Sequence, residues 1–301
     1  MNFDIIGKYR LWFLISGLVI LLGICSMLFN YFSRGKILNF GIDFTGGTVL
    51  TLRFENQPNI GDHIGKIRNI IQKYGINESF IQLAGQKDIT IRTEPIENDV
   101  RAKIVDDISK EFGNVELLEA DTIGPSIGKE LRGQAFWALL VATVLILVYV
   151  SFRFEFKYAV AAIVALWHDA LVTVGLISFL WRSVDSAFVA AILTILGYSI
   201  NDTIVIFDRI RENLIKERKE KKSFTAIINE SIIQTMARSI NTALTVLFVV
   251  IAILLFGGST LKDFMLTLFI GFVSGIYSSI FIASPLLVLM EKRFGTEKIR
   301  K

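Results

Sequence analysis

The sequence holds few of the residues that bind transition metals or form disulfides. It has one cysteine, Cys25, and two histidines, His63 and His168, in 301 residues. A single cysteine cannot form an internal disulfide, and neither histidine has a second histidine or a cysteine at the spacing of a zinc site. The sequence therefore predicts no metal and no cofactor.

The most polar part of the chain also lacks an excess of positive charge. Residues 33–134 contain 13 Lys and Arg against 15 Asp and Glu, although the whole chain has a net charge of +4. A nucleic-acid-binding surface needs a concentrated basic face. We therefore expect no nucleic acid among the partners.

Long apolar segments, in contrast, are abundant. Hydrophobic residues make up 52% of the chain, and about 17–25 mostly apolar residues are enough to cross a bilayer. We predict a polytopic α-helical membrane protein with six transmembrane helices. They fall at residues 11–32, 135–152, 158–181, 186–207, 240–257 and 264–290.

The basic residues beside these segments predict the orientation. They precede span one, separate spans two and three and spans four and five, and follow span six, whereas the opposite short loops hold only Arg182 and Lys262. Cytoplasmic loops carry the excess of Lys and Arg. Both termini, within segments 1–32 and 135–301, and the basic loop 208–239, which includes Lys221, are therefore expected in the cytoplasm. Residues 33–134, which include Gly85, are expected to be exported.

This exported segment has the periodicities of a small α+β domain. Leu50, Leu52 and Phe54 alternate as on a half-buried strand, and isoleucines recur at helical spacing in residues 60–71 and 96–108. Three more short strands, SFIQLA, DITIRT and VELLEA, complete a β-α-β-β-α-β order. That order is the ferredoxin-like pattern, and we expect a binding or moving module without catalytic residues.

One carboxylate lies inside a span, where an ionised aspartate costs about 2.5–3.5 kcal/mol at the membrane centre. Asp202 precedes Asp208, the edge of span four, by about 9 Å of helix, and Arg238 enters span five from the same side. A static ion pair that fixes helix packing is one interpretation. The other is a proton-responsive pair, because Arg238 keeps Asp202 ionised in contact, while burial favours the protonated carboxyl once they separate.

A second polar group lies deeper. His168 and Asp169 are about 16 Å into span three at 1.5 Å per residue, and Asn201 lies beside Asp202 in span four. A hydrogen-bonded cluster within the bundle and a part in proton transfer are both open interpretations of these residues.

Two further patterns concern helix packing. Gly271, Gly275 and Ser279 recur at four-residue spacing in span six, which predicts a close helix contact. Residues 223–239 predict an amphipathic helix capped by Ser223. This helix either lies along the membrane interface or packs on the bundle.

Five motifs together resemble those of one known family. The chain resembles SecF, in the SecD/SecF family of protein-export membrane proteins and the resistance-nodulation-division superfamily, over nearly its whole length. The motifs are GIDFTGGT (41–48), IGPSIGKEL (123–131), WHDALVTVG (167–175), GYSINDTIVIFDRIREN (197–213) and QTMARSINT (234–242).

The resemblance implies a non-enzymatic subunit in the cytoplasmic membrane of a bacterium. Its implied partners are SecD, the SecYEG translocon, preproteins and YajC, and its implied role is to use the proton-motive force in late preprotein translocation. The family's intramembrane aspartate falls on Asp202 and its arginine on Arg238. The family's glycine motif falls on Gly41, Asp43, Phe44, Gly46 and Gly47.

Two other functions compete with this one. Asp169 and Asp202 lie on different spans and suggest an intramembrane aspartyl protease, whose two carboxyls share a proton. Their estimated depths differ, however, and the GxGD motif of such proteases is absent. A non-conducting assembly scaffold is the second alternative.

Overall fold

Within the part of the chain that the structure describes, six helices are long and apolar enough to cross a membrane, as the sequence predicts. The computed structural model describes residues 4–55, 57, 59–76, 79–85, 87–216 and 222–294. The six spans are α1, α5, α6, α7, α8 and the pair α9 with α10. In chain order the helices are α1 (Tyr9–Arg34), α2 (Ile42–Thr45), α3 (Ile64–Gln72), α4 (Asn98–Phe112), α5 (Pro125–Arg153), α6 (Phe156–Phe179), α7 (Ser186–Lys216), α8 (Phe224–Phe256), α9 (Lys262–Ser278) and α10 (Ser284–Phe294).

Much of the predicted loop 208–239 is helical. Helix α7 continues to Lys216, and α8 begins at Phe224, after Ser223 accepts a hydrogen bond from Ala226 N at 3.2 Å. Ile228 and Ile232 are fully buried against the other spans. The apolar stripe of residues 223–239 therefore packs on the bundle as the first turns of span five. Its isoleucines are buried against the other spans, so no separate helix along the membrane interface is needed to cover them.

The last span contains a π-helical segment, Ser279–Ala283, between α9 and α10. Pro285 follows directly after Ser284. Proline has no N–H, and its ring clashes with the carbonyl four residues earlier, which disfavours a regular α-turn there. Ser284 Oγ donates to the Ser279 carbonyl at 3.0 Å and occupies a backbone acceptor of the widened turn.

The segment between spans one and two forms an antiparallel sheet in the order β3-β4-β2-β5. With α3 and α4 this arrangement has the predicted β-α-β-β-α-β order and is consistent with the ferredoxin-like pattern. Its export stays a prediction. In chain order the strands are β1 (Asn39–Phe40), β2 (Gly47–Phe54), β3 (Ser79–Leu83), β4 (Asp88–Thr93), β5 (Val115–Ile123) and β6 (Ser183–Val184).

The two faces of this sheet have different roles. Leu50, Leu52 and Phe54 of β2 are buried with the isoleucines of α3 and α4, as the alternation predicts. The intervening side chains, such as Thr51, point to the opposite face. That face lines a cavity shared with residues at one end of α7 and α9. We call this end the outer end of the bundle.

Candidate functional site

Asp202 lies on α7, between α8 and the π segment of the last span. Ser239 of α8 and Ser279 of the π segment lie beside its carboxylate, and Arg238 of α8 attracts it electrostatically. Its Oδ2 is buried and has no hydrogen-bond partner among the described residues. A buried polar atom without a partner costs about 1–3 kcal/mol, and more when it is charged. Protonation of the carboxyl would remove the additional cost of the charge, and closer approach of a cation would offset it.

Arg238 is not in contact with Asp202 in this conformation. Its side chain is exposed on the outside of α8. At this end of the bundle, arginine ion pairs join Arg153 to Asp208 and Arg209 to Glu212. No ion pair among the described residues joins Arg238 to Asp202. The static ion pair suggested by the sequence is thus not formed here, and the part of these two residues in proton transfer stays a prediction.

Asp169 is the centre of a buried hydrogen-bonded cluster that joins three helices. Its Oδ1 accepts from Ser274 Oγ at 2.7 Å and lies 3.1 Å from Nδ1 of its neighbour His168. Its Oδ2 accepts from the hydroxyls of Ser199 and Ser278, both at 2.7 Å. The carboxylate is fully buried. Asp169 of α6 therefore holds α7 and α9 together.

Asn201 does not belong to this cluster, contrary to the prediction that groups it with His168 and Asp169. Its side chain is exposed, whereas Ser199, two residues earlier on α7, is fully buried. Each residue of an α-helix turns by about 100°, so two positions differ by more than half a turn. The helix therefore directs Ser199 towards Asp169 and Asn201 away from it.

The predicted small-residue face packs within the chain. A Cβ on Gly271 would overlap the Ile195 side chain, and one on Gly275 would lie 3.1 Å from Ser199 Cβ. At the next turn Ser279 Oγ lies 2.8 Å from Thr203 Oγ1. This contact between α7 and the last span, which we call the α7–α9 seam, passes both Asp169 and Asp202. Because the seam is occupied by this chain, it gives no support for a partner.

The glycine motif forms the joint between the sheet and the bundle. Gly46 and Gly47 have φ of +73° and +126°, and a Cβ on Gly47 would overlap the Thr93 carbonyl oxygen. Phe44 is buried in the core of the bundle. Asp43 Oδ2 accepts from Ser186 N, the first residue of α7, at 2.8 Å. The motif thus connects the base of the sheet to the outer end of α7.

Beside this joint, a cavity of about 870 Å³ lies between the polar face of the sheet and the outer end of the bundle. Arg92 of β4 lines it. Burial lowers the pKa of the Arg92 guanidinium, whereas nearby carboxylates, including Asp185, Asp263 and Glu119, raise it, and burial prevails. Arg92 also donates to Asn39 Oδ1 at 3.1 Å, which ties the sheet to β1.

Sequence reasoning missed several of these contacts. Ser274 and Ser278 are four residues apart, which places them on one face of the helix. This spacing is the signal in the sequence that could have indicated their shared contact with Asp169. Gly23 of α1 and Gly175 of α6 meet backbone to backbone, since a Cβ on Gly23 would lie 2.7 Å from Gly175 Cα. No local pattern pairs residues so far apart in the chain.

The two candidate aspartates do not form a protease dyad here. A shared proton needs two carboxyls in direct contact, about 3 Å apart. Every hydrogen bond of the Asp169 carboxylate found among the described residues runs to a serine or to His168. In the same part of the chain, no group of three or more His, Cys, Asp or Glu side chains converges in a way that suits a metal ion.

Comparison with known proteins places this geometry in context. The sequence profile of the C-terminal part of protein-export membrane proteins SecD and SecF matches residues 104–293, and the profile of the SecD/SecF GG motif matches residues 38–58. The chain is 42% identical to protein translocase subunit SecF of Sebaldella termitidis over 97% of this chain and 93% of the relative. It is 39% identical to the SecF subunit of Thermobaculum terrenum over 96% and 94%.

Among solved structures, the chain is similar to SecDF of Thermus thermophilus, described as a translocon-associated membrane protein. The TM-score is 0.84 at 36% identity, over 97% of this chain and 39% of the SecDF chain. A SecDF structure in a super-membrane-facing form matches with a TM-score of 0.68 at 35% identity, over 99% and 40%. This chain thus spans about two-fifths of the SecDF chains that it matches.

Proposed function

We propose that this chain, which belongs to the SecD/SecF family of protein-export membrane proteins, uses the proton-motive force in late preprotein translocation. It would do so as a SecF-type accessory subunit of the Sec translocase. The observation that carries this proposal is the buried, unpartnered Oδ2 of Asp202, with Arg238 on the neighbouring span. The proposed partners are SecD, the SecYEG translocon, preproteins and YajC.

The charge of Asp202 can be coupled to helix arrangement. An ionised Asp202 attracts Arg238, and a protonated one does not, so each protonation state favours a different distance between α7 and α8. A proton crossing the membrane supplies about 2.3 kcal/mol per 100 mV for each charge moved. Repeated uptake and release would therefore drive a cycle of small helix movements.

Helix α7 provides the connection from this site to the sheet. Asp202 lies 16 residues from Ser186, or about 24 Å at 1.5 Å per residue. Ser186 N donates to Asp43 of the glycine motif, and β1 pairs with β6 in parallel at the same end. A displacement of α7 would thus reach the base of the sheet through a rigid helix.

The proposed function is tested by preprotein translocation into inverted membrane vesicles. Vesicles that contain the SecYEG translocon and SecD are prepared with and without this chain. Each preparation is measured with ATP alone and with ATP plus an imposed proton gradient. We expect the chain to add an increment that appears only with the gradient. An equal effect of the chain in both conditions would favour the assembly scaffold.

A surface on α7 and α8 supports the proposal of a membrane-embedded partner. Ala190, Thr194, Gly197 and Asn201 form an exposed stripe along α7, and Arg238 lies exposed on α8. Polar groups facing lipid are costly, and small residues allow another helix to approach closely. The spans of SecD are the proposed cover for this stripe.

We expect Gly197→Trp to prevent assembly with SecD. The added ring would fill the space where the partner's helix lies, while a Cβ on Gly197 meets no atom of this chain within 4 Å. Gly17→Trp on α1 is the matched control, because Gly17 is also exposed and equally free of contacts. Co-purification in mild detergent measures the outcome. Undiminished recovery of SecD with Gly197→Trp would place the interface elsewhere.

The proposed orientation is tested by cysteine labelling in a Cys25→Ser chain. Lys103 of α4 and Arg211 near the end of α7 are both exposed. Because positive residues mark the cytoplasmic side, we expect Lys103→Cys to react with an impermeant maleimide added outside intact cells. Arg211→Cys should react only after lysis. The opposite pattern would reverse the topology. Lys221, which the sequence assigns to the cytoplasm, lies outside the described residues.

A further inference from the structure

Asp169 and its neighbour His168, which we call the dyad, are not used by the function proposed above. Asp169 accepts from three serine hydroxyls and faces His168 Nδ1. An ionised carboxylate has about four lone-pair sites and no hydrogen to donate. The ring of donors therefore suits an ionised Asp169. With a neutral His168, the dyad then carries one negative charge at a fully buried position.

His168 has an open position for a proton. When Nδ1 carries the hydrogen that faces Asp169, the other ring nitrogen keeps a lone pair. This Nε2 is buried and has no hydrogen-bond partner among the described residues, and His168 is only 8% exposed. A proton on Nε2 would turn the dyad into a neutral imidazolium–carboxylate pair. A buried pair costs less than a buried single charge.

The dyad also lies between Asp202 and the outer end of the bundle. Asp169 is 10 residues from Phe179, the outer end of α6, or about 15 Å along the helix, whereas Asp202 is about 24 Å from the outer end of α7. Protons that enter from the outer end therefore reach the depth of the dyad before that of Asp202.

We propose that the dyad is a second proton-binding site, which inward-moving protons occupy before they reach Asp202. This inference rests on the proposed function and adds a site to it. The Nε2 lone pair of His168 takes a proton from a hydronium ion, which leaves as water, and the charge of the dyad changes from minus one to zero. Release to water reverses the step.

The two sites share the α7–α9 seam. Ser199, a donor to Asp169, precedes Asp202 by three residues on α7. Ser278, a second donor, adjoins Ser279, which lies beside Asp202. A change in the charge of the dyad thus alters the hydrogen bonds of residues next to Asp202.

The groups around the dyad are few. Tyr277 of the last span stacks on the His168 ring at 6.0 Å, and its hydroxyl donates to the Trp12 carbonyl of α1 at 2.8 Å. Ser16 of α1 reaches the same hydroxyl at 3.4 Å. From α7 the titratable group on this side is Asp202, and from α9 it is Tyr277. Histidine is the side chain in this set that ordinarily titrates near neutral pH.

The chain has only two histidines, which makes a direct measurement possible. The full chain, with His63→Gln and without a polyhistidine tag, is labelled with ¹⁵N-histidine and placed in lipid bilayers. Solid-state NMR then reports both ring nitrogens of His168. From about pH 8 to about pH 5, we expect Nδ1 to stay protonated and Nε2 to change from bare to protonated.

Asp169→Asn is the matched variant for this measurement. It removes the negative charge that stabilises the imidazolium, so we expect the protonated fraction of His168 to fall at each pH. Should Asp169→Asn fail to fold, the NMR titration of His168 in the otherwise unchanged chain still decides the question. A His168 that stays neutral throughout, or that titrates identically without Asp169, would overturn the proposal.

Translocation separates this proposal from the function on which it rests. In the complex with SecD, His168→Gln should lose most of the gradient-dependent increment and keep the ATP-driven part. Thr267→Val is the control for loss of a buried polar group. Thr267 is 1% exposed, and its hydroxyl bonds, among the described residues, only to the Asp263 carbonyl of its own helix. If Asp202→Asn abolishes the increment and His168→Gln retains it in full, the proposed function stands and the second site is wrong. If the unchanged complex has no increment, the proposed function fails, and the NMR titration still decides whether the dyad binds a proton.

Discussion

Asp202→Asn should abolish the gradient-dependent increment of preprotein translocation and leave the complex assembled. Asparagine keeps the size of the side chain but cannot ionise, so α7 would stay in the arrangement of a protonated Asp202. The Oδ2 atom is buried without a partner among the described residues, and a neutral amide at this position lowers the cost of burial. We therefore expect no loss of folding. Translocation into inverted vesicles, with and without an imposed proton gradient, measures the effect.

Two companion variants sharpen this result. Asp208→Asn changes the same residue type on the same helix, but Asp208 is partly exposed and lies 3.5 Å from Arg153. Such surface ion pairs contribute about 0–1 kcal/mol. The complex with Asp208→Asn should therefore show the normal gradient-dependent increment. Arg238→Gln removes the positive charge that attracts ionised Asp202 but not protonated Asp202. This variant should therefore also lose the increment. Full retention of the increment by Asp202→Asn would make Asp202 a packing residue and favour the scaffold.

Gly23→Leu should destabilise the bundle and lower its thermal unfolding midpoint. A Cβ on Gly23 would lie 2.7 Å from Gly175 Cα, and one on Gly175 would lie 2.8 Å from Gly23 Cα. The obstacle is backbone on both sides, so a rotamer change cannot relieve it and α1 must move away from α6. Overpacking of this kind costs roughly 1–3 kcal/mol or more. Helix separation would also disturb Asn30 Nδ2, which donates to the Ser178 carbonyl at 3.0 Å.

The measurement is the thermal unfolding midpoint in detergent, with size-exclusion chromatography to detect aggregates. Gly17→Leu serves as control, since it adds the same side chain to the same helix at a glycine whose Cβ would meet no atom within 4 Å. An equal midpoint for the two variants would mean that α1 and α6 can separate at little cost. Their glycine contact would then not be required for the fold.

The sequence alone determined most of the elements of this protein. The six spans, the four strands of the antiparallel sheet and its two helices follow from apolar length and from periods of 2 and 3.6 residues, which are local properties of the chain. These patterns did not predict β1, β6, the π segment or the continuation of α7 to Lys216. The alternation of Leu50, Leu52 and Phe54 is sufficient to predict their place in the core of the sheet, because alternate side chains of a strand share one face. The motifs that carry the resemblance to SecF are likewise contiguous, so family membership could be anticipated from them.

Only the tertiary structure decided which polar residues meet. Asn201 and Ser199 are two positions apart, yet rotation of α7 exposes one and buries the other. Asp169 gains Ser274 and Ser278 from a helix more than 100 residues away, and Gly23 meets Gly175 across an even longer stretch of the chain. Asp202 and Arg238 are separated because α8 places Ser239 beside the carboxylate and leaves the Arg238 side chain exposed. Each outcome depends on the rotation and crossing of packed helices, and these result from side-chain packing over the whole bundle, which no local pattern contains.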